Sequence, residues 1–133
     1  AQSVPDAAYR LAEAFWPGPL SIVVPRRPEV PEIVSALPTI GLRIPDHPTT
    51  REVIRACGGA LAVSSANLSD APPALTAREA ALALGDGVAL VLDGGTCPGG
   101  TPSTVVDVTG GEIVILRRGP ISEVSIRQVL AEA

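Results

Sequence analysis

The sequence predicts an α/β (α+β) domain in which helices flank a mixed β-sheet. Three observations carry this. Short apolar runs of Val, Ile and Leu alternate with stretches of helical character along most of the chain. The core must be aliphatic, since 46% of residues are hydrophobic and only 2% aromatic, a balance that suits buried strands beside Ala-rich helices. Near the C-terminus two strands meet around Thr109-Gly110-Gly111 as a hairpin, which makes the sheet mixed. At 133 residues the chain is long enough for one core and too short for two ordinary domains, so 1–133 is expected to form a single domain.

Each element follows from local signals. Ser3 is expected to cap a first helix, with Pro5 in its first turn and Asp6 at its positive end. Ala8, Leu11, Ala12 and Phe15 supply its apolar face, and Trp16-Pro17-Gly18-Pro19 stops it. Residues 20–24 read as a strand, and 25–38, with four Pro, as a loop with one helical turn near Ile33. A strand over 40–44 ends at Pro45. Thr49 or Thr50 caps a helix through Cys57, which Gly58-Gly59 terminates. Residues 60–63 read as a buried strand and 64–73 as a polar loop. Thr76 and Glu79 form a capping box for a helix to Leu84. A strand over 88–92 and a Gly/Pro-rich loop to Pro102 follow. The hairpin strands cover 103–108 and 112–116, and a last helix is expected from Ser125, with Gln128 completing a second box.

Composition excludes several function classes. Net charge is −4, and all ten basic residues are Arg. An acidic whole argues against bulk nucleic-acid binding through a broad basic face, while leaving room for a local basic pocket. Arg is also the better residue for bidentate contact with carboxylate or phosphate. Cys57 and Cys97 have neither CxxC nor Cys/His spacing, which argues against zinc and for a reduced, cytoplasmic setting. No apolar run reaches membrane-spanning length, and no signal-peptide pattern opens the chain. Ala1 begins abruptly, without an initiator Met, as a cut or partial reading frame would.

Four loop segments at strand ends combine polar residues with Gly or Pro, the position where open sheets bind ligands. In Gly41-Leu42-Arg43-Ile44-Pro45-Asp46-His47, Arg43 interrupts an apolar strand, which is costly unless it meets an anion. Either Asp46 supplies that anion as a salt bridge or a ligand carboxylate does. Ser64-Ser65-Ala66-Asn67 offers compact donors and acceptors for phosphate, ribose or carboxylate, and is equally a turn satisfied by its own side chains. The glycines around Asp93-Gly94-Gly95 and Gly99-Gly100, leading to Ser103, allow close backbone approach by a ligand or simply connect two strands. They form neither a Walker A loop nor a dinucleotide fingerprint. In Leu116-Arg117-Arg118-Gly119 one Arg can meet phosphate, or both can guard a solvated edge. With one His and no evident partner, no Ser/His/Asp triad can be assembled.

Taken in order, Phe15-Trp16-Pro17-Gly18-Pro19-Leu20, Gly41-Leu42-Arg43-Ile44-Pro45 with His47-Pro48, Ser65-Ala66-Asn67-Leu68-Ser69, Asp93-Gly94-Gly95, Pro102-Ser103-Thr104-Val105-Val106-Asp107 and Leu116-Arg117-Arg118-Gly119 resemble the YrdC-like threonylcarbamoyl-AMP synthase family over nearly the whole chain. The resemblance implies a twisted mixed β-sheet flanked by helices around a positively charged cavity. It implies conversion of L-threonine, bicarbonate and ATP, with Mg2+ accompanying ATP, to threonylcarbamoyl-AMP and pyrophosphate. The product serves the N6-threonylcarbamoyl modification of adenosine 37 in tRNA. The implied partners are the tRNA-modification proteins that transfer the group; double-stranded RNA is a further one. By motif, Arg43 and Ser103 would bind L-threonine, and Thr39, Ser65, Asn67 and Arg117 would bind ATP. No catalytic nucleophile is implied. The family's N-terminal segment, with its Lys-x-Arg motif, is expected to be missing, so this chain alone is expected to be incomplete for catalysis. Where the family has Gly and then Ser-Pro-Thr after the Ser-Ala-Asn loop, this chain has Asp70 and Pro73-Ala74-Leu75, and Pro73 cannot make a serine's side-chain contact. Two alternatives stand beside this reading: a related module that forms carbamoyl-AMP from carbamoyl phosphate, and a non-catalytic double-stranded-RNA-binding module.

Overall fold

The computed structural model describes residues 1, 3–97 and 100–132. Pro98 and Gly99, part of the Gly/Pro-rich loop read from the sequence, lie outside the described residues. Two compact units are present, one of Ala1–His47 with Thr101–Ala133, the other of Pro48–Gly100.

The first unit holds α1 (Asp6–Phe15), β1 (Leu20–Pro25) and β2 (Thr39–Leu42). The second holds α2 (Pro48–Ala56), α3 (Ala77–Leu84) and a short 3-10 turn (Gly85–Gly87). The chain then returns to the first unit with β3 (Thr104–Asp107), β4 (Val114–Arg117) and α4 (Glu123–Ala131). The four strands form one mixed sheet in the order β2-β1-β3-β4, an α+β arrangement with four helices. β1 runs antiparallel to β2 and parallel to β3, and β3 runs antiparallel to β4. Among the described residues no helix is long and apolar enough to cross a membrane.

Period-two alternation sorts the sheet into two faces. Leu20, Ile22 and Val24 of β1, with Thr104, Val106 and Val108 of the β3 segment, are buried on one face with Ala8 and Leu11 of α1 and Ile126 of α4. α1 and α4 pack on each other, and Arg10 donates to the carbonyls of Leu130 and Val129, satisfying orphan acceptors at the end of α4. Thr104 is fully buried and its hydroxyl is satisfied: it donates to the Ile121 carbonyl at 2.8 Å and accepts from the Ile121 N–H at 3.0 Å.

Local signals succeed where a side chain and backbone close neighbours complete the interaction. Thr76 accepts from the Glu79 N–H at 3.2 Å, as the capping box requires, and Gly58 and Gly59 take φ of 95° and 92° beyond α2. Two caps move. α1 begins after Pro5 with no side-chain cap, and Ser3 stands outside it at φ 50°. α4 begins earlier than expected, with Ser122 as the cap accepting from the Ser125 N–H. Near Ile33 there is a turn closed by Val34 N–H on the Pro31 carbonyl rather than a helical turn.

The strands expected over 60–63 and 88–92 do not form. Among the described residues neither segment makes a backbone hydrogen bond, and Val63 and Leu90 are 81% and 73% exposed. A strand is defined by its neighbour, and these apolar runs have none among the described residues. Their amides are expected to exchange with solvent without protection, while those of β1 and β3 are protected; native-state hydrogen exchange by NMR checks this.

Two glycines are required by close approach. A Cβ at Gly18 would lie 2.3 Å from the Phe15 carbonyl oxygen, and one at Gly119 would lie 2.4 Å from both the Pro102 oxygen and the Thr104 nitrogen. Gly119 therefore lets the chain after β4 lie against the backbone on either side of Ser103. Gly119→Ala is expected to cost about 3 kcal/mol, because the intruded atoms are backbone and cannot turn aside; urea unfolding measures it.

Candidate functional site

The face of the sheet opposite the helices carries the polar residues that the sequence singled out. On β2, Thr39 and Gly41 share a face, and Arg43, one residue past the strand, continues it. Because Leu42 lies opposite Ile22, the next position, Arg43, falls beside Ser21. Ser21 pairs with Val105, and Val105 with Arg117. One row across the four strands thus has Arg43 at one end, Arg117 at the other and Ser21 between.

Arg117 reaches this face because β4 is irregular. Val106 lies opposite Ile115 while Val105 lies opposite Arg117, so Leu116 is an extra residue at that step. Ile115 packs against the core. In an even strand the residue two positions on would face the core as well; the shift turns Arg117 to the other side.

Arg117 then closes on Ser103. Its Nε donates to the Ser103 carbonyl at 2.9 Å and its Nη2 to Ser103 Oγ at 3.0 Å. Ser103 is 6% exposed, and its hydroxyl also lies 2.9 Å from Ser21 Oγ. Arg43 is held differently: its Nε donates to the Gly18 carbonyl at 2.9 Å, while the Gly18 N–H donates to the Ile44 carbonyl at 2.9 Å. The Trp16-Pro17-Gly18-Pro19 segment, recognised in the sequence as a helix stop, is therefore also the bracket for Arg43. Trp16 Nε1 donates to the Leu20 carbonyl at 2.7 Å and closes that bracket onto β1.

Partial desolvation, and then the nearby Arg117 charge, push the Arg43 pKa down from its ordinary value. Among the described residues no carboxylate pairs with either guanidinium. The two guanidiniums thus share one face of the sheet, Arg43 held by a backbone carbonyl and Arg117 by a carbonyl and a serine hydroxyl.

Of the six residues singled out for binding, the structure joins Ser103 to Arg117 by hydrogen bonds and sets Arg43 on the same face of the sheet. Thr39 lies on the same face but about 13 Å along the strand from Arg43; its carbonyl accepts from the Ser35 hydroxyl at 2.8 Å. Ser65 and Asn67 belong to the unit of Pro48–Gly100. There the Asn67 N–H donates to the Ser65 carbonyl at 3.1 Å, and Asn67 Nδ2 to the Leu68 carbonyl at 2.8 Å. Asn67 Oδ1 is buried with no donor on it, an unusual debt that a ligand N–H or O–H would settle. Asp107 is structural, accepting from the Thr109 N–H and hydroxyl at 2.8 and 2.7 Å within the hairpin. Arg118 points away, its side chain 91% exposed. Among the described residues no group of three or more His, Cys, Asp or Glu gathers as a metal site would. Sequence reasoning missed Ser21 and the Gly18 carbonyl. A single serine inside an apolar run, Leu20-Ser21-Ile22-Val23-Val24, was the available signal.

Comparison with known proteins gives the family. The Sua5/YciO/YrdC family model, described as "Telomere recombination", matches residues 1–119. A Mycobacterium tuberculosis relative is 45% identical over 129 residues, covering 96% of this chain and 59% of its own length. Pyrococcus abyssi threonylcarbamoyl-AMP synthase is 34% identical over 133 residues, 99% of this chain and 39% of its own. The crystal structure of P. abyssi Sua5 complexed with L-threonine superimposes with a TM-score of 0.92 at 34% identity, again over 99% of this chain and 39% of that one. This chain thus spans about 40 to 60% of the relatives it matches. On these matches, the chain belongs to the Sua5/YciO/YrdC family.

Proposed function

We propose that the protein acts in the synthesis of L-threonylcarbamoyl-AMP. L-Threonine and bicarbonate lose water to form the carbamate, a carbamate oxygen attacks the α-phosphate of ATP, and pyrophosphate leaves. The product would supply the N6-threonylcarbamoyl group of tRNA through transferring proteins in the cytoplasm. The observation that carries this reading is one sheet face on which Arg117 holds the Ser103 hydroxyl and the Gly18 carbonyl holds Arg43. Support comes from relatives named for this product and from a neighbour of the same fold complexed with L-threonine.

In this reading Arg43 takes the threonine carboxylate and Ser103 donates to it. Arg117 faces the ATP phosphates while holding Ser103 in place. The family resemblance assigns nucleotide contacts to Thr39, Ser65 and Asn67. Mg2+ enters with ATP and offsets phosphate charge. The reaction joins two anions, so its chief demand is fixed positive charge and donors rather than an enzyme nucleophile.

The direct test incubates the chain, and the Pyrococcus synthase in parallel, with ATP, Mg2+, bicarbonate and L-threonine. Mass spectrometry is expected to find threonylcarbamoyl-AMP and pyrophosphate in the Pyrococcus reaction. Extending this chain by the family's remaining sequence is expected to yield the same product, dependent on threonine. Product formed from carbamoyl phosphate without threonine would sink the proposal.

Arg43→Gln separates a binding role from a structural one. Below its lowered pKa the charged Arg43 disfavours the folded state. That cost is relieved as pH rises through the lowered pKa and is gone above the ordinary value; a guanidinium stays charged across neutral pH, so the cost is constant there. Removing the charge is therefore expected to leave Tm within about 3 °C, offsetting the lost Gly18 contact. Affinity for L-threonine is expected to fall by about 30-fold, roughly 2 kcal/mol for a hydrogen bond to a charged group. Calorimetric titration and thermal unfolding check both; a large fall in Tm would mark Arg43 as structural.

A further inference from the structure

A serine hydroxyl has one proton and two lone pairs. Arg117 Nη2 donates to Ser103 Oγ at 3.0 Å and so takes one lone pair. Ser21 Oγ, brought in on β1, stands 2.9 Å from the same oxygen. Two hydroxyls share only one proton between them, so one proton of the pair is left for a third group. Arg117 cannot receive it, because a guanidinium only donates. Among the described residues no other side-chain hydrogen bond takes it either. Ser103 is buried and Ser21 half-buried, so the spare proton faces the site rather than bulk water.

We infer that Ser21 is a positioning residue that fixes the polarity of Ser103. Ser21 donates to Ser103 Oγ and fills its second lone pair. With both lone pairs occupied, Ser103 can only donate outward, toward an anionic oxygen held by Arg43. A donor-only hydroxyl favours carboxylate, which only accepts, over carboxamide, whose N–H needs an acceptor. Ser21 thereby contributes to discrimination between L-threonine and its amide without touching either. This rests on the proposed reading that the site holds the threonine carboxylate.

The test is calorimetric titration of L-threonine, L-threoninamide and sodium sulfate into the chain and four variants: Ser21→Thr, Ser21→Val, Ser103→Ala, and Ser21→Val with Ser103→Ala. Thr and Val have the same shape, so their comparison isolates the hydroxyl whatever the strand tolerates. Ser21→Thr is expected to bind L-threonine within twofold of the parent. Ser21→Val is expected to bind it three- to tenfold more weakly, the span of a single neutral hydrogen bond, and to discriminate less against the amide. The double variant is expected to match Ser103→Ala within twofold, because Ser21 acts only through Ser103. Equal binding by the Thr and Val variants would overturn the inference, as would fully additive losses in the double variant. A parent that binds sulfate but not L-threonine would sink the substrate reading alone; the same cycle read on sulfate, which also only accepts, would then decide the role of Ser21. A parent that binds neither would overturn both.

Discussion

The parallel pairing of β1 with β3 joins distant stretches of the chain and brings Ser21 to Ser103, 82 positions away in sequence. Parallel strands cannot be linked by a tight turn, and here the crossover contains the whole unit of Pro48–Gly100. The core and the polar face both hang on this register. Leu20 opposite Thr104 and Ile22 opposite Val106 put aliphatic groups under α1 and α4. The same register puts Ser21 beside Ser103 on the other side. A slip of one residue would exchange the two faces, exposing the core set and burying the polar one. Gly119 and Thr104 reinforce that register, one by lying against the backbone around Ser103, the other by tying β3 to Ile121.

On this frame the electrostatics follow from a shortage. The chain is acidic overall, yet the sheet face gathers two guanidiniums without an acid between them. Each is held by backbone carbonyls, which orient a cation without neutralising it. Arg127 on α4 differs, because Glu123 pairs with it and matches its charge.

Much was legible in the sequence because the relevant interactions are local. The helix stop at Trp16-Pro17-Gly18-Pro19, the Thr76 and Glu79 cap and the Thr109-Gly110-Gly111 hairpin each involve residues within a few positions of one another. Serine caps were less certain, since several serines near a helix start compete, and Ser122 rather than Ser125 lies where the N–H groups emerge. The runs at 60–63 and 88–92 have the composition of strands, but composition records only a preference for pleated, half-buried surface. Whether the strand forms depends on a neighbour.

By itself the sequence determined the aliphatic core, the mixed α+β class, the family, and the identity of Arg43, Ser103 and Arg117 as candidates. These follow from periodicity, from turn chemistry and from ordered motifs, all readable along one chain. Tertiary structure alone decided that Leu116 would be an extra residue turning Arg117 to the polar face. It also decided that the Gly18 carbonyl would hold Arg43, and that Ser21 would meet Ser103. Those outcomes depend on which strands are neighbours and in what register, and pairing between distant segments is set by the fit of the whole core rather than by any signal within either segment.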